Sequence, residues 1–257
     1  MQDERGLIED ARALGGNYFL LKIAAPRIAA AAKPGNFVML RVSPSRDPLL
    51  RRPLGILEAS PPYIWLYYQV LGHGTRLLSG LGPGDGLDIL GPLGNIFPEL
   101  PGKRILLVAG GRGIVPLFHY ARVHGERRPL LLLYGGRSRA DLPLLERIKS
   151  SLRLQGLFIF SEDGSVGQKG LLSDGLEKIV REERADATFS CGPEAMLARV
   201  ALELRSRGLV NHASLEAMMG CGFGACQGCV VPTVSGGYRK VCDEGPVFPL
   251  EEIQWRT

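Results

Sequence analysis

With 257 residues, 45% of them apolar, the chain can bury a substantial core, has room for two domains and is not disordered. Its net charge of +5 is modest, and the basic pairs Arg51-Arg52 and Arg127-Arg128 lie far apart. That pattern suits a solvated surface with local phosphate contacts and argues against a nucleic-acid partner.

No apolar run is long enough to span a bilayer, so no membrane partner is expected. The N-terminal MQDERGLIEDARALGG has no apolar signal core. Together with unpaired thiols this predicts a cytoplasmic protein. In chain order, the first hundred residues read as all-β. Asn36–Val42 and Tyr63–Leu71 mix apolar and β-branched residues, and Pro34-Gly35, Pro61-Pro62 and Gly82-Pro83-Gly84-Asp85-Gly86 mark turns. Short strands at this spacing predict a small β-barrel.

Arg51-Arg52-Pro53-Leu54-Gly55-Ile56 offers a planar guanidinium fork suited to a pyrophosphate, and Gly72-His73-Gly74-Thr75 offers close backbone approach and a hydroxyl. Each is weak alone: an arginine pair is usually surface charge, and a GxGT is usually a turn. Gly91-Pro92-Leu93-Gly94-Asn95-Ile96-Phe97 reads as a rigid glycine loop at the barrel's end.

The pattern changes near Pro101-Gly102. Arg104–Ala109, Leu130–Tyr134, Leu157–Phe160 and Ala187–Cys191 read as buried strands. Helices are predicted at Ile114–Val123, Leu142–Lys149, Leu171–Glu182 and Glu194–Arg207. This alternation predicts an α/β domain with a parallel sheet. Gly110-Gly111-Arg112-Gly113 follows the first strand and opens a helix, where a dinucleotide's pyrophosphate meets helix N–H groups. Cys191-Gly192-Pro193-Glu194-Ala195-Met196 ends a later strand on the same carboxyl edge. After the second strand, Arg137 and Arg139 can grip a 2′-phosphate or serve as surface charge.

Four of the five cysteines close the chain. Cys221, Cys226, Cys229 and Cys242 read C-x4-C-x2-C-x12-C. Four thiolates hold a [2Fe–2S] cluster, and C-x4-C-x2-C with a later Cys is the plant-type ferredoxin pattern. The x12 gap is shorter than the ferredoxin one. Four cysteines also suit tetrahedral zinc, although zinc sites usually pair C-x2-C knuckles and only one stands here. Gly220, Gly222, Gly224 and Gly228 allow the backbone to wrap closely and to aim N–H groups at sulfur. Phe223, Ala225 and Val230 are expected to keep water off the site, and Met218-Met219 to pack against its loop. Val230–Val234 and Tyr238–Val241 flank Ser235-Gly236-Gly237 as a small hairpin. The four histidines show no metal-ligand spacing, and Cys191 suits a small buried apolar residue.

The order of these motifs resembles the ferredoxin–NADP reductase superfamily, in which a flavin-binding β-barrel precedes a nicotinamide-binding α/β domain. Its R-x-Y-S, GGxGxxP and CGPxxM stretches match here as Arg52–Gly55, Gly110–Pro116 and Cys191–Met196. Leu54 and Gly55 depart from the family's flavin-stacking Tyr and its Ser or Thr. More narrowly, LLRRPLGI, GHGTRLL, GPLGNIF, GGRGIVPL, CGPEAM, SLEAMMGCGFGACQGCVV and VCDEGPVF resemble, in order, the electron-transfer subunits of class 1B (NAD-dependent) dihydroorotate dehydrogenases. Asp243-Glu244 stands where that family commonly has x-Asp.

The resemblance implies three units: a FAD-binding barrel at residues 1–100, a NAD-binding α/β domain at 101–213 and a [2Fe–2S] module at 214–257. It implies FAD on Arg52, Pro53, Leu54, Gly55, Tyr67, Gly74 and Thr75. It places NAD against Gly110, Gly111, Gly113, Cys191, Gly192 and Pro193, and the cluster on the four cysteines. The implied partner is an FMN-containing catalytic subunit that oxidises dihydroorotate, in a heterotetramer. A flavin between nicotinamide and cluster makes chemical sense, since NAD takes a hydride, the cluster one electron, and flavin handles both. Two alternatives stand beside this. One is the small flavin and iron–sulfur subunit of an NADH-dependent ferredoxin:NADP oxidoreductase or a sulfhydrogenase. The other is a non-catalytic adaptor that keeps a zinc knuckle.

Overall fold

The computed structural model describes residues 1–205 and 207–255. Strands β1 (Gln2–Ala13), β2 (Tyr18–Ala24), β3 (Phe37–Arg41), β4 (Arg52–Ser60), β5 (Tyr63–Gln69) and β6 (Gly86–Leu93) close into an antiparallel barrel. Its strand order is β1-β2-β5-β4-β3-β6. Helix α1 (Pro26–Ala31) packs on the barrel, and α2 (His73–Ser79) follows β5. Alternation along each strand decides what faces inward. Ile8, Leu21, Ile23, Val38, Leu40, Ile64, Leu66, Tyr68, Leu87 and Ile89 fill the barrel.

The outward faces are buried too, against the other units. Tyr18, Leu20, Leu57 and Tyr67 join the core of the α/β domain. Phe37, Met39 and Leu93 join a core shared with Cys229, Val241 and Cys242. The expected loop at Gly91–Phe97 is corrected in its first half: Gly91–Leu93 continue β6, pairing with β1 and β3.

The second unit contains β7 (Ile105–Gly110), α3 (Ile114–His124), β8 (Leu130–Gly136), α4 (Leu145–Ser151), β9 (Gly156–Ser161), β10 (Gln168–Lys169) and α5 (Leu172–Glu182). It continues with β11 (Ala187–Cys191), α6 (Glu194–Leu204) and β12 (Val210–Ser214). The cysteine segment follows, with hairpin β13 (Val230–Pro232) and β14 (Tyr238–Lys240), then β15 (Val247–Pro249). The sheet order is β10-β9-β8-β7-β11-β12-β15. All its pairs are parallel except β12–β15. Ile105–Ala109 and Leu130–Tyr134 are buried throughout, because helices cover both faces of a parallel sheet. The C-terminal segment thus returns to the sheet: Ser214 pairs with Val247 and His212 with Pro249.

The strand order reverses at β7, with β8 on one side and β11 on the other. In open α/β sheets, the crevice beyond the carboxyl ends at such a switch point takes ligands. Helix α3 lies against β4 of the barrel, so that crevice faces this strand. Glu58 of β4 reinforces the contact with ion pairs to Arg122 at 3.2 Å and Arg147 at 2.8 Å.

Candidate functional site

The four terminal cysteines come together as two pairs, each tied by a backbone donor. Cys226 N–H donates to Cys221 Sγ at 3.4 Å, and Cys242 N–H donates to Cys229 Sγ at 3.3 Å. Gly224 N–H reaches Cys242 Sγ at 3.1 Å and Phe223 N–H reaches Cys221 Sγ at 3.5 Å. The loop achieves this with left-handed turns at Gly222 (φ +83°) and Gly224 (φ +84°), which only glycine adopts without strain. All four thiols are free.

Burial works to raise the Cys221 thiol, but donors from Phe223, Cys226 and Ala225 outweigh it and hold it at about 6. Burial, with the Cys229 thiol beside it, pushes Cys242 up to about 12. Among the described residues no three His, Cys, Asp or Glu side chains converge on one point as ligands of a single ion. Two thiol pairs ringed by N–H donors fit a two-iron cluster, whose anionic sulfurs such donors stabilise. Glu244, the departure from the family pattern, anchors the last ligand's turn: it accepts from Lys240 N–H at 2.8 Å and from Arg239 at 2.9 Å.

The expected shield is corrected. Phe223, Ala225 and Val230 are exposed, and Met218 is 91% exposed. Only Met219 packs into the core. A loop without periodicity carries no signal for which way its apolar side chains point. The cysteine site is instead covered on its inner side by the barrel. A Cβ at Gly222 would lie 2.6 Å from Met39 Cγ and 3.4 Å from Leu93 Cδ1.

At the switch point, glycines bring two strand ends into contact. A Cβ at Gly113 would sit inside contact distance of the Cys191 carbonyl, and one at Gly110 would lie 2.6 Å from Met196 Sδ and 2.9 Å from Pro193 Cδ. The open side of Gly111 (φ +52°) has nothing within 4 Å. Bare backbone at a strand end, followed by the start of α3, suits an approaching pyrophosphate. Burial drives the Cys191 thiol far up, so it shapes this floor as an inert group.

Arg112, within the turn, donates to Gln69 Oε1 of β5 and ties the loop to the barrel. After β8, both arginines meet carboxylates. Arg137 donates to Asp141 at 2.9 and 3.2 Å, and Arg139 lies 3.7 Å from Glu146. Asp141 also accepts from the Tyr18 hydroxyl at 3.0 Å, another bond between the two units.

On the barrel, Arg52 opens β4 and its Nη1 donates to Leu50 O at 2.7 Å. Its guanidinium lies over Gly74, where a Cβ would come 2.9 Å from Cζ. The two motifs thus form one cationic, glycine-floored corner. Thr75 Oγ1 accepts from Leu71 and Gly72 N–H at 3.0 and 3.2 Å and donates to Gly72 O at 3.1 Å, so the hydroxyl shapes the turn itself. Pro53 pairs with Met39, and Leu54 packs partly toward the barrel core. Gly55 makes room for α3, since a Cβ would lie 2.9 Å from Val115 Cγ1. Tyr67, on β5 beside β4, is buried with its ring stacked on Tyr18 at 5.7 Å, and its hydroxyl has no partner among the described residues.

Met39, Asn95, Gln69 and Asp141 are the residues that sequence reasoning missed. Asn95 had been visible only as part of a loop. Its Nδ2 donates to Glu244 O and Val247 O, and its Oδ1 accepts from Val247 N–H.

Comparison with known proteins agrees with this architecture. A family model described as the iron-sulfur cluster binding domain of dihydroorotate dehydrogenase B matches residues 216–254. The dihydroorotate dehydrogenase B (NAD(+)) electron transfer subunit of Desulforamulus reducens is 34% identical over 253 residues, covering 93% of each chain. The subunit of the same name from a Geobacillus species is 36% identical, covering 98% of this chain and 99% of its own. Among solved structures, an NADH-dependent reduced ferredoxin-NADP oxidoreductase superposes with a TM-score of 0.87 at 29% identity, over 97% of this chain and 90% of that one. A ferredoxin NADP+ reductase from Neisseria gonorrhoeae with bound FAD and NADP shares the fold, with a TM-score of 0.67 at 15% identity, over 81% of this chain and 92% of that one.

Proposed function

The chain belongs to the family of dihydroorotate dehydrogenase B electron transfer subunits, and from that premise we propose that it carries electrons from a dihydroorotate-oxidising, FMN-containing partner subunit to NAD+. The overall balance is dihydroorotate plus NAD+ giving orotate, NADH and a proton. When bound, a [2Fe–2S] cluster supplies one-electron transfer, FAD the exchange between one and two electrons, and NAD+ the hydride acceptor. The observation that carries the reading is that the three motif-bearing segments adjoin one another. The cysteine loop packs on β3, β3 pairs with the Arg52–Gly55 strand, and that strand faces α3 and the β7–β11 crevice.

In this reading Cys221, Cys226, Cys229 and Cys242 hold the cluster. Arg52 and Gly74 hold the FAD pyrophosphate, Thr75 shapes their turn, and Pro53, Leu54 and Gly55 line the flavin along β4. Tyr67, on β5 next to that strand, lines the flavin from the same outward face. Gly110, Gly111 and Gly113 admit the NAD pyrophosphate, while Cys191, Gly192 and Pro193 floor the nicotinamide end. Residues 1–100, 101–213 and 214–257 serve as flavin, nicotinamide and cluster units, the last borrowing the sheet of the second. The exposed Met218 and Phe223 beside the cysteines form the face for the partner, in a heterotetramer of two copies of each subunit. No helix among the described residues is long and apolar enough to cross a membrane, which fits the cytoplasmic site proposed.

The test is an anaerobic titration of the purified chain with NADH and NADPH, with metal analysis, followed by addition of the dihydroorotate-oxidising subunit. Flavin bands bleached by NADH, two irons per chain and dihydroorotate-dependent NADH formation are expected. Zinc without flavin refutes the reading. The TM-score of 0.87 favours a second reading, the small subunit of a ferredoxin-NADP oxidoreductase. Bleaching by NADH with two irons per chain but no dihydroorotate-dependent NADH formation would select it.

A further inference from the structure

We propose that Met39 is a positioning residue that fixes the gap between the cysteine loop and the flavin strand, so that the cluster works as a rigidly mounted relay. The inference rests on the functional reading above and concerns residues that no ligand set includes.

Met39 is fully buried on β3. Its backbone pairs with Pro53, one residue from Arg52 and two from Gly55. Its side chain leaves the outward face of the barrel and enters the core that contains Cys229 and Cys242. There it meets Gly222, the residue after Cys221: a Cβ on Gly222 would lie 2.6 Å from Met39 Cγ and 3.0 Å from Sδ. One side chain therefore spans from the strand beside the proposed flavin corner to the backbone of the cysteine loop. Gly222 must be glycine both for its φ of +83° and because Met39 occupies its Cβ position.

The residue type fits the role. A long, flexible thioether fills the uneven surface under a glycine turn, and it is the filled volume that holds the loop in place. The loop cannot drift away, because a second attachment holds the other end of the module. Asn95 clamps Glu244 and Val247, and a Cβ at Gly94 would lie 2.5 Å from Pro246 Cδ. The loop is pinned on both sides of the sulfur site, and Met39 is the pin directly behind the first ligand. Shortening it leaves a gap that the loop or water fills, and the electron path through the packed side chain lengthens.

The experiment uses the whole chain with flavin and iron verified per molecule. It is mixed anaerobically with NADH, and flavin and cluster absorbance are followed separately. Met39→Ala should leave flavin reduction by NADH unchanged and slow the following flavin-to-cluster phase by about tenfold or more, the scale on which misplacing a reacting pair acts. Met39→Leu, which restores most of the volume, should return that phase close to wild type. Visible circular dichroism of the cluster should shift in the alanine variant and recover in the leucine one, a readout independent of turnover. If Met39→Ala does not retain iron, Met39→Val is read in its place. A variant with full iron and an unchanged second phase overturns the proposal. So does equal slowing of both phases. A wild-type chain without flavin or iron would instead sink the functional reading itself.

Discussion

Replacing Asn95 by alanine removes three hydrogen bonds at once. They run from Nδ2 to Glu244 O at 2.9 Å and to Val247 O at 2.8 Å, and from Val247 N–H to Oδ1 at 2.8 Å. All three cross from the loop after the barrel's last strand to the C-terminal segment that follows Cys242. Net contributions run at about 1 kcal/mol each, and the half-buried position lets water replace part of one, so the loss is about 2–3 kcal/mol. For a chain of this size that lowers Tm by roughly 4–12 °C.

Asn95→Asp separates hydrogen bonding from shape. It keeps an acceptor for Val247 N–H but turns a carboxylate oxygen toward two carbonyl oxygens, so at neutral pH it should destabilise at least as much as alanine. Acidification that protonates the carboxyl should recover part of the loss. The assay is thermal unfolding followed by circular dichroism, with iron per chain measured on the same samples. An Asn95→Asp variant as stable as wild type would refute the reasoning, since it would show that the two Nδ2 donors contribute nothing.

Gly113→Ala drives a methyl into the Cys191 carbonyl, backbone against backbone. It should cost about 1–3 kcal/mol by urea unfolding and weaken NADH binding measured by calorimetry. Unchanged values for both would mean that the β7–β11 junction is not the tight contact described. Cys242→Ser should lower iron per chain while flavin per chain stays at the wild-type level, because the Arg52–Gly74 corner lies on the barrel. Iron retained in full would remove Cys242 from the ligand set.

His119 is held neutral: burial lowers it to about 4, the Ile56 carbonyl opposes that, and His124 adds to it. Since the unfolded chain binds this proton below about 6.5 and the native chain only below about 4, stability is intact above 6.5 and lost as pH falls through that window. The loss amounts to about 2 kcal/mol between pH 7 and 5. His119→Gln should lose correspondingly less stability than wild type over that interval in urea unfolding. Equal losses would count against a buried neutral His119.

Much of the chemistry was legible because it is local. The C-x4-C-x2-C turn must close around sulfur within a few residues, and the thiol pairs and N–H donors are built from that stretch plus Cys242. Ile105–Ala109 and Leu130–Tyr134 read as buried strands because a parallel sheet covered on both faces leaves continuous apolar runs. β12 and β15 escaped notice for the opposite reason: Val210–Ser214 is mixed in character, and Val247–Pro249 is only a short pairing segment. The barrel's own alternation was blurred. Phe37–Leu40 is buried on both faces, one set filling the barrel and the other packing on the cysteine module.

The sequence by itself determined the donor atoms and the order of the units: four thiols, two glycine-rich strand ends and an arginine placed before a glycine turn. These follow from residue type and short spacing. Only the tertiary structure decided which of them meet. It set Met39 behind Gly222, clamped Asn95 onto Glu244 and Val247, and tied Arg112 to Gln69. It seated Tyr67 between the barrel and the α/β domain and left Met218 and Phe223 exposed. Such contacts join residues far apart in the chain, and no local propensity encodes them. They are set by which faces of the barrel, the sheet and the C-terminal segment exclude water from one another when all three close together.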